Sequence, residues 1–292
     1  MYDEILIGVD GSEESDRAAK RGIELASAFG ASVTALHVVE QSTLDLARDE
    51  EASAIRANRE AVFSGVESAA EAAGRPVATE VVEGSPAKQL TERASESGAG
   101  LLVLGRQGAS GIGRRLLGGV TERVLASGAV PVFVVPESAD EPVAYERLLV
   151  PTDGSENAEA ALPHGAEIAA AHGAAVDVLN VVDLQAAGGA FDAGGLEQSF
   201  LERLESEGEA AAERAAAAVQ EDVPDAAVET VVERARTESA AELIREHVAD
   251  HGIDLVVMGS RGRSTVKQKL LGSVAAGVLQ TVDVPVLVAP EA

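Results

Sequence analysis

Two stretches of the chain share a glycine spacing that suits the binding of a phosphate group. A glycine, two residues, a glycine, nine residues and a glycine run from Gly105 to Gly118, and the same spacing returns 154 residues later, from Gly259 to Gly272. Neither stretch contains Asp or Glu, although the whole chain has 49 acidic and only 23 basic residues. The basic residues of the two stretches are Arg106, Arg114, Arg115, Arg261, Arg263, Lys267 and Lys269. This local excess of cations predicts two anion-binding loops.

Glycine loops of this kind can hold a phosphate through the backbone. Because glycine has no Cβ, its N–H group can approach a ligand closely and the chain can adopt positive φ. A helix that begins at the last glycine would add the positive end of its dipole. We therefore expect a phosphate-bearing ligand at these loops.

Other kinds of site find little support in the composition. The lack of Cys excludes disulfides, thiolate zinc sites and cysteine nucleophiles. The five His show no paired spacing, and no nucleophile, general base or pair of carboxylates converges on the glycine loops. We predict no catalytic residue and no protein-bound metal, although Mg²⁺ could be held through the phosphates of a ligand.

Short apolar strands alternate with helices along both halves of the chain. The first half opens with an apolar run that ends in Asp10-Gly11-Ser12, and the second opens with one that ends in Asp153-Gly154-Ser155. The pattern of each half predicts five strands separated by four helices. Strands that are apolar throughout and separated by helices indicate parallel sheets covered on both faces. The predicted fold class is α/β, with two doubly wound, Rossmann-like domains in tandem.

The repeat also predicts boundaries and strand order. We expect domains at 1–138 and 147–292, a linker at 139–146, and a loop in the Gly- and Ala-rich stretch Gln185–Gly195. With strand order 3-2-1-4-5, the first and fourth strands flank the point where the order reverses, which is where such sheets bind ligands. The Asp turn and the glycine loop of each domain would then face one crevice. The apolar final strands of the two domains are expected to pair with each other as an internal pseudo-dimer.

The charge and hydropathy of the chain bear on its partners. A net charge of −26 with four Lys argues against nucleic acid, because an acidic surface repels the phosphate backbone. No apolar run approaches the roughly 18 residues of a membrane span, and the first residues lack the pattern of a signal peptide. We expect a cytoplasmic protein that binds neither nucleic acid nor membrane.

The acidic composition, poor in Lys and aromatic residues, predicts a stability that depends on salt. It is typical of halophilic proteins, and an acidic protein from ordinary salt is the alternative. Carboxylate repulsion is screened over roughly 10 Å at 0.1 M salt and about 3 Å at 1 M. We expect the melting temperature to rise between about 0.1 M and 2 M KCl. A constant melting temperature would contradict the halophilic interpretation.

The glycine loops differ from those of the commonest nucleotide-binding folds. A P-loop needs G-x-x-x-x-G-K followed by Ser or Thr, and a dinucleotide-binding unit needs G-x-G-x-x-G after its first strand; the chain has neither. The run from Gly259 through Gly262 to Gly272-Ser273, with Asp153 after the first strand, instead resembles the universal stress protein family. The resemblance covers both halves. It implies binding of an adenine nucleotide, ATP or AMP, in many members, and a regulatory role in the stress response.

The resemblance also implies roles for individual residues. It places Asp153 near the ribose and adenine, and the backbone of Val181 against the adenine edge. The phosphates would be surrounded by Gly259, Gly262, Gly272 and Ser273. The matching positions of the first half are Asp10, Val38, Gly105, Gly108 and Gly118. There the hydroxyl residue of the motif is replaced by Gly119, so the second domain is expected to be the more competent site.

Each assignment has a structural alternative. Asp10 and Asp153 could merely satisfy the N–H groups of their own turns, and any single loop cation could be a solvated charge. His37, on the second strand, is expected to have a structural role. For the whole chain, two alternatives to a nucleotide-binding regulator stay open: a slow ATPase or phosphoryl-transfer enzyme, and an interaction scaffold that binds no nucleotide. Assembly into a homo-oligomer also stays open.

Overall fold

The computed structural model describes residues 1–40, 59–108, 116–138, 145–183, 198–235, 237–262 and 271–291. The chain divides into two compact units, Met1–Pro142 and Val143–Ala292. Most of the predicted linker and the predicted loop Gln185–Gly195 lie outside the described residues. The same holds for the loop cations Arg114, Arg115, Arg263, Lys267 and Lys269.

The first unit is a parallel sheet of strand order β3-β2-β1-β4-β5 with helices between successive strands. This is the order 3-2-1-4-5 expected from the sequence. Its elements are β1 (Glu4–Val9), α1 (Glu13–Phe29), β2 (Ser32–Glu40), α2 (Arg59–Ala72), β3 (Ala78–Gly84), α3 (Pro86–Ser97), β4 (Leu101–Gly105), α4 (Gly119–Ser127) and β5 (Val132–Val135).

The second unit repeats this architecture, with parallel strands in the order β8-β7-β6-β9-β10. The two central strands, β6 and β9, are flanked on both sides by others and are buried almost throughout. Its elements are β6 (Arg147–Pro151), α5 (Glu156–Glu159), α6 (Leu162–His172), β7 (Ala175–Asp183), α7 (Gln198–Asp222), β8 (Val228–Ala235), α8 (Ala240–His251), β9 (Leu255–Gly259), α9 (Ser273–Thr281) and β10 (Val286–Ala289).

The turn after the first strand of each unit starts a helix by the same capping contact. The Ser12 hydroxyl accepts the N–H of Ser15, and the Ser155 hydroxyl accepts the N–H of Ala158. These contacts satisfy N–H groups that have no partner within the helix. Helix α1 then ends at Gly30, whose φ of 70° is the left-handed conformation that glycine adopts readily.

One helix differs from the prediction. The sequence indicates a single helix after Ser155, but the structure has two, α5 and α6, with Pro163 in the first turn of α6. Proline lacks the N–H that would bond to the carbonyl of Glu159, and its ring crowds that carbonyl. The second unit therefore has five helices among its described residues where four are expected.

An ionic cluster around two buried residues, Asp177 and His247, distinguishes the second unit from the first. Asp177, 1% exposed on β7, accepts hydrogen bonds from Arg147 Nε (2.9 Å) and contacts His247 Nε2 (3.2 Å). The other ring nitrogen of His247 contacts Glu233 Oε1 at 3.1 Å, and Arg147 also donates to Glu229. We call these five residues the His247 cluster.

The His247 cluster holds its histidine between two carboxylates. Burial alone would lower the pKa of His247, but Asp177 and Glu233 outweigh it and the pKa is raised. Burial alone would raise the pKa of Asp177, but His247 and Arg147 lower it. The ring of His251 stacks on that of His247 at 4.0 Å. At the matching position of α3, the first unit has Arg93, which donates to both oxygens of Glu80.

The His247 cluster should stabilise the chain most in weakly acidic solution. Because the folded-state pKa of His247 is raised, its contribution is complete below the unfolded value of about 6.5 and is lost as the pH rises through the folded value. The contribution of Asp177 is lost only as the pH falls through its lowered pKa, below about 3.9. We expect His247→Gln to lower the melting temperature more at about pH 6 than at about pH 9.

A matched variant checks the cause of this pH dependence. His247→Arg copies Arg93 of the first unit and stays charged at both pH values. The melting temperature should therefore lose the part of its pH dependence that comes from the titration of His247. His37→Gln, at a histidine outside the cluster, is the control: the larger effect of His247→Gln at about pH 6 should persist when the two changes are combined. An effect of His247→Gln that is equal at both pH values would contradict the prediction.

The expectations about membrane binding and strand pairing stand differently. In the part of the chain that the structure describes, no helix is both long enough and apolar enough to cross a bilayer. The predicted pairing of the two final strands, now β5 and β10, stays a prediction.

Candidate functional site

The second unit has a cavity of about 480 Å³ at the carboxyl ends of β6 and β9. These neighbouring strands are the first and fourth of the unit, where the strand order reverses. Asp153 follows β6, and the glycine loop follows β9. The predicted site residues that line this cavity are Asp153, Val181, Gly259, Gly262, Gly272 and Ser273, which is the full set predicted for this half. Their role in binding stays a prediction.

The Asp153 carboxylate faces its own turn with one oxygen and the glycine loop with the other. Oδ1 accepts the backbone N–H of Ser155 at 3.0 Å and its hydroxyl at 2.6 Å. This is the turn role named above as the structural alternative. Oδ2 lies so close to Gly262 that a Cβ built there would overlap it. The turn thus fixes the carboxylate while Oδ2 stays beside the loop.

The glycine loop is closed at its base by a backbone hydrogen bond. The N–H of Gly272 donates to the carbonyl of Ser260 at 2.9 Å, and a Cβ at Gly272 would lie 3.1 Å from the Cα of Arg261. Helix α9 begins directly after Gly272, with Ser273 as its first residue. Its first-turn N–H groups have no partner within the helix, and its dipole favours negative charge at this end. The loop and helix start therefore suit a phosphate.

Apolar side chains form another part of the cavity lining, here called the apolar wall. Val181 lies near the end of β7, and Leu179, Ile244 and Met258 line the cavity with it. The buried side chain of Asn180 donates to the carbonyl of Thr152 at 2.8 Å, which ties the end of β7 to the chain leaving β6. A flat heteroaromatic ring fits such a wall, since its faces are apolar and its edge can reach backbone groups.

The first unit has an equivalent cavity of about 620 Å³. Asp10 repeats the contacts of Asp153, with Oδ1 accepting the N–H of Ser12 at 3.0 Å and its hydroxyl at 2.6 Å. His37 contacts the carbonyl of Val9 at 2.9 Å, in the place of Asn180, which agrees with the structural role expected for it. All five site residues predicted for this half line the cavity: Asp10, Val38, Gly105, Gly108 and Gly118.

The two cavities differ in a few lining positions. Gly119 begins α4 where Ser273 begins α9, and Gln107 lies where the second unit has Arg261. The N–H of Gln107 donates to the carboxylate of Glu14 at 2.8 Å. At these two described positions, the first cavity therefore has neither a hydroxyl nor a guanidinium.

The described loop cations are not equivalent to one another. Arg106, counted above among the basic residues of the first glycine loop, is only 5% exposed and is not among the described lining residues of the first cavity. Arg261 lines the second cavity, and its Nη1 donates to Glu291 Oε1 at 2.5 Å. Sequence reasoning gave Arg261 no special place among the loop cations. Its partner lies 30 residues further along the chain, which local spacing does not reveal.

The described residues offer little for direct binding of a metal. They contain no group of three or more His, Cys, Asp or Glu side chains arranged to hold an ion. Among the described lining residues of the second cavity, the acidic one is Asp153, so Mg²⁺ held by these residues would need phosphate oxygens as further ligands.

Comparison with known proteins gives a consistent result for both units. A model of the universal stress protein family matches residues 1–136 and 144–290. A universal stress protein of Mycolicibacterium smegmatis is 33% identical over 97% of this chain and 96% of its own length. The crystal structure of a universal stress protein from Archaeoglobus fulgidus covers 99% of this chain and 96% of its own, with a TM-score of 0.72 and 22% identity. A solved universal stress protein in complex with cAMP is 30% identical and covers 46% of this chain and 97% of its own, with a TM-score of 0.39.

Proposed function

Since this chain belongs to the universal stress protein family, with one family domain in each half, we propose that it binds an adenine nucleotide, ATP or AMP, and acts as a stress-response regulator. The observation that carries the proposal is the lining of the second cavity. A fixed carboxylate, an apolar wall and a glycine loop at a helix start meet there in one space of about 480 Å³. These three features match the sugar, the base and the phosphates of a nucleotide.

Within the second cavity, each part of the nucleotide has its own partner in the proposal. The adenine lies on the apolar wall, with its edge against the backbone of Val181. The ribose hydroxyls bond to the Asp153 carboxylate, which its turn already holds in place. The phosphates lie at Gly262, Gly272 and the Ser273 hydroxyl, where backbone N–H groups and the dipole of α9 offset their charge.

The second domain is proposed to be the more competent site. Ser273 and Arg261 supply a hydroxyl and a guanidinium at positions where the first cavity has Gly119 and Gln107. A hydrogen bond to a charged group contributes roughly 1.5–3 kcal/mol. The first cavity keeps its Asp turn and glycines, so it is proposed to bind the same ligands. Because it has Gly119 and Gln107 in place of Ser273 and Arg261, this binding is proposed to be weaker.

The lining of the second cavity favours binding over hydrolysis. Its described residues include no His, Lys, Glu or Tyr that could act as a general base, and Asp153 Oδ1 is engaged by Ser155. Slow hydrolysis would have to rely on positioning and cationic charge. A regulatory binding module is therefore the preferred function.

Mass spectrometry of the nucleotide released when the purified full chain is denatured tests the proposal. ATP or AMP in amounts comparable to the protein would support binding. Conversion of added ATP to ADP would instead favour the ATPase alternative. No released nucleotide, together with no heat on titration with ATP or AMP, would favour the scaffold and contradict the proposal.

A further inference from the structure

The guanidinium of Arg261 meets a carboxylate from the end of the last strand. Arg261 lines the second cavity, and its side chain is only 17% exposed. Its Nη1 donates to Oε1 of Glu291, two residues beyond β10, at 2.5 Å. The Glu291 side chain is 47% exposed. The glycine loop and the chain after the last strand are thus joined by an ion pair beside the proposed phosphate site.

The first unit has the carboxylate but lacks the cation at the same positions. Glu137 and Gln107 precede Glu291 and Arg261 by 154 residues. Gln107 Nε2 donates to the carbonyl of Leu116 at 2.6 Å, so it ties the loop to itself. The backbone bond that closes the loop is 2.9 Å long in both units. An ion pair at these positions is therefore not needed to close the loop.

A guanidinium can serve a carboxylate and a phosphate, but the two anions compete for it. Arginine presents five N–H donors in a planar fork that matches the oxygens of a phosphate. A carboxylate bound to the same guanidinium occupies some of these N–H donors and places negative charge next to the phosphate. Since Glu291 is partly exposed, the pair should contribute little to folding. Its effect should instead be seen in ligand binding.

Building on the proposed nucleotide function, we propose that Arg261 selects adenine ligands that carry phosphate and that Glu291 moderates this selection. Arg261 adds affinity for ATP and AMP but none for adenosine, because only the phosphates offer anionic oxygens. Glu291 competes for the guanidinium, so the affinity for phosphate stays below the value that Arg261 alone would give. The chain after β10 thereby tunes how strongly the second domain holds its nucleotide.

Calorimetric titration of the full chain with ATP and with adenosine tests this selection. Arg261→Gln, which copies Gln107, should weaken ATP binding at the tighter site by about 10- to 100-fold and leave adenosine binding unchanged. Glu291→Gln should strengthen ATP binding by roughly two- to fivefold. That gain should vanish when both changes are combined, because the competition requires Arg261. Glu137→Gln is the matched control and should leave the tighter site unchanged.

The outcomes separate this inference from the function on which it rests. An equal loss for ATP and adenosine in Arg261→Gln, no loss for either, or weaker ATP binding in Glu291→Gln would overturn it. Wild-type protein that binds neither ATP nor adenosine would overturn the proposed function as well.

Discussion

Gly262→Ala should remove most of the nucleotide affinity of the second domain. The added Cβ would overlap Asp153 Oδ2, and that carboxylate cannot retreat without breaking its bonds to the N–H and hydroxyl of Ser155. Either the Asp turn or the glycine loop must move, and both line the cavity. Overpacking of this kind costs about 1–3 kcal/mol, which corresponds to a loss of roughly 5- to 150-fold in ATP affinity. Calorimetric titration of the full chain with ATP measures this affinity.

Two controls separate this effect from a general loss of stability. Gly108→Ala makes the same overlap with Asp10 in the first unit, so the tighter site should keep its affinity. Gly173→Ala destabilises a helix end where φ is 67° and where a Cβ would meet no atom of the described residues within 4 Å, far along the chain from the loop. It should lower the melting temperature but preserve ATP binding. Unchanged ATP binding in Gly262→Ala would contradict the arrangement proposed for the site.

Exchange of the residues at the two helix starts should shift affinity between the domains. Ser273→Gly removes the proposed hydroxyl donor and should weaken the tighter site by about 10- to 100-fold. Gly119→Ser should strengthen the weaker site, because among the described residues a Cβ at Gly119 would meet only the Arg123 side chain, at 3.8 Å. The two affinities come from the same calorimetric titration.

Alanine variants show whether the hydroxyl or the helix is responsible. Ser273→Ala keeps a good helix former at the start of α9 but has no hydroxyl, so it should weaken binding nearly as much as Ser273→Gly. Gly119→Ala should stabilise α4 without strengthening the first site. Two sites of equal affinity in the wild-type protein would contradict the proposed asymmetry, and so would strong binding by Ser273→Ala.

The sequence predicted the fold well because its strongest patterns are local and occur twice. The strands are short apolar runs, the caps are Ser12 and Ser155, and α4 and α9 begin directly after the last glycine of each loop. Burial of parallel strands between helices leaves few alternatives for such a pattern. The eleven predicted site residues meet in two cavities because the order 3-2-1-4-5 brings the ends of the first and fourth strands together.

The features that sequence reasoning missed depend on contacts between distant parts of the chain. The break between α5 and α6 could have been predicted, because Pro163 interrupts the helical pattern. The burial of Arg106 and the pairing of Arg261 with Glu291 could not, since side-chain direction and a partner 30 residues away leave no trace in local spacing. Asp177, an acid within the apolar run of β7, was a usable signal of the His247 cluster.

A crystal structure of the full chain grown with a slowly hydrolysed ATP analogue tests the central claim most directly. We expect the analogue in the second domain, with its adenine edge at the backbone of Val181, its ribose at Asp153 and its phosphates at Gly262, Gly272 and Ser273. Density for the analogue only in the first domain, or away from both glycine loops, would contradict the account.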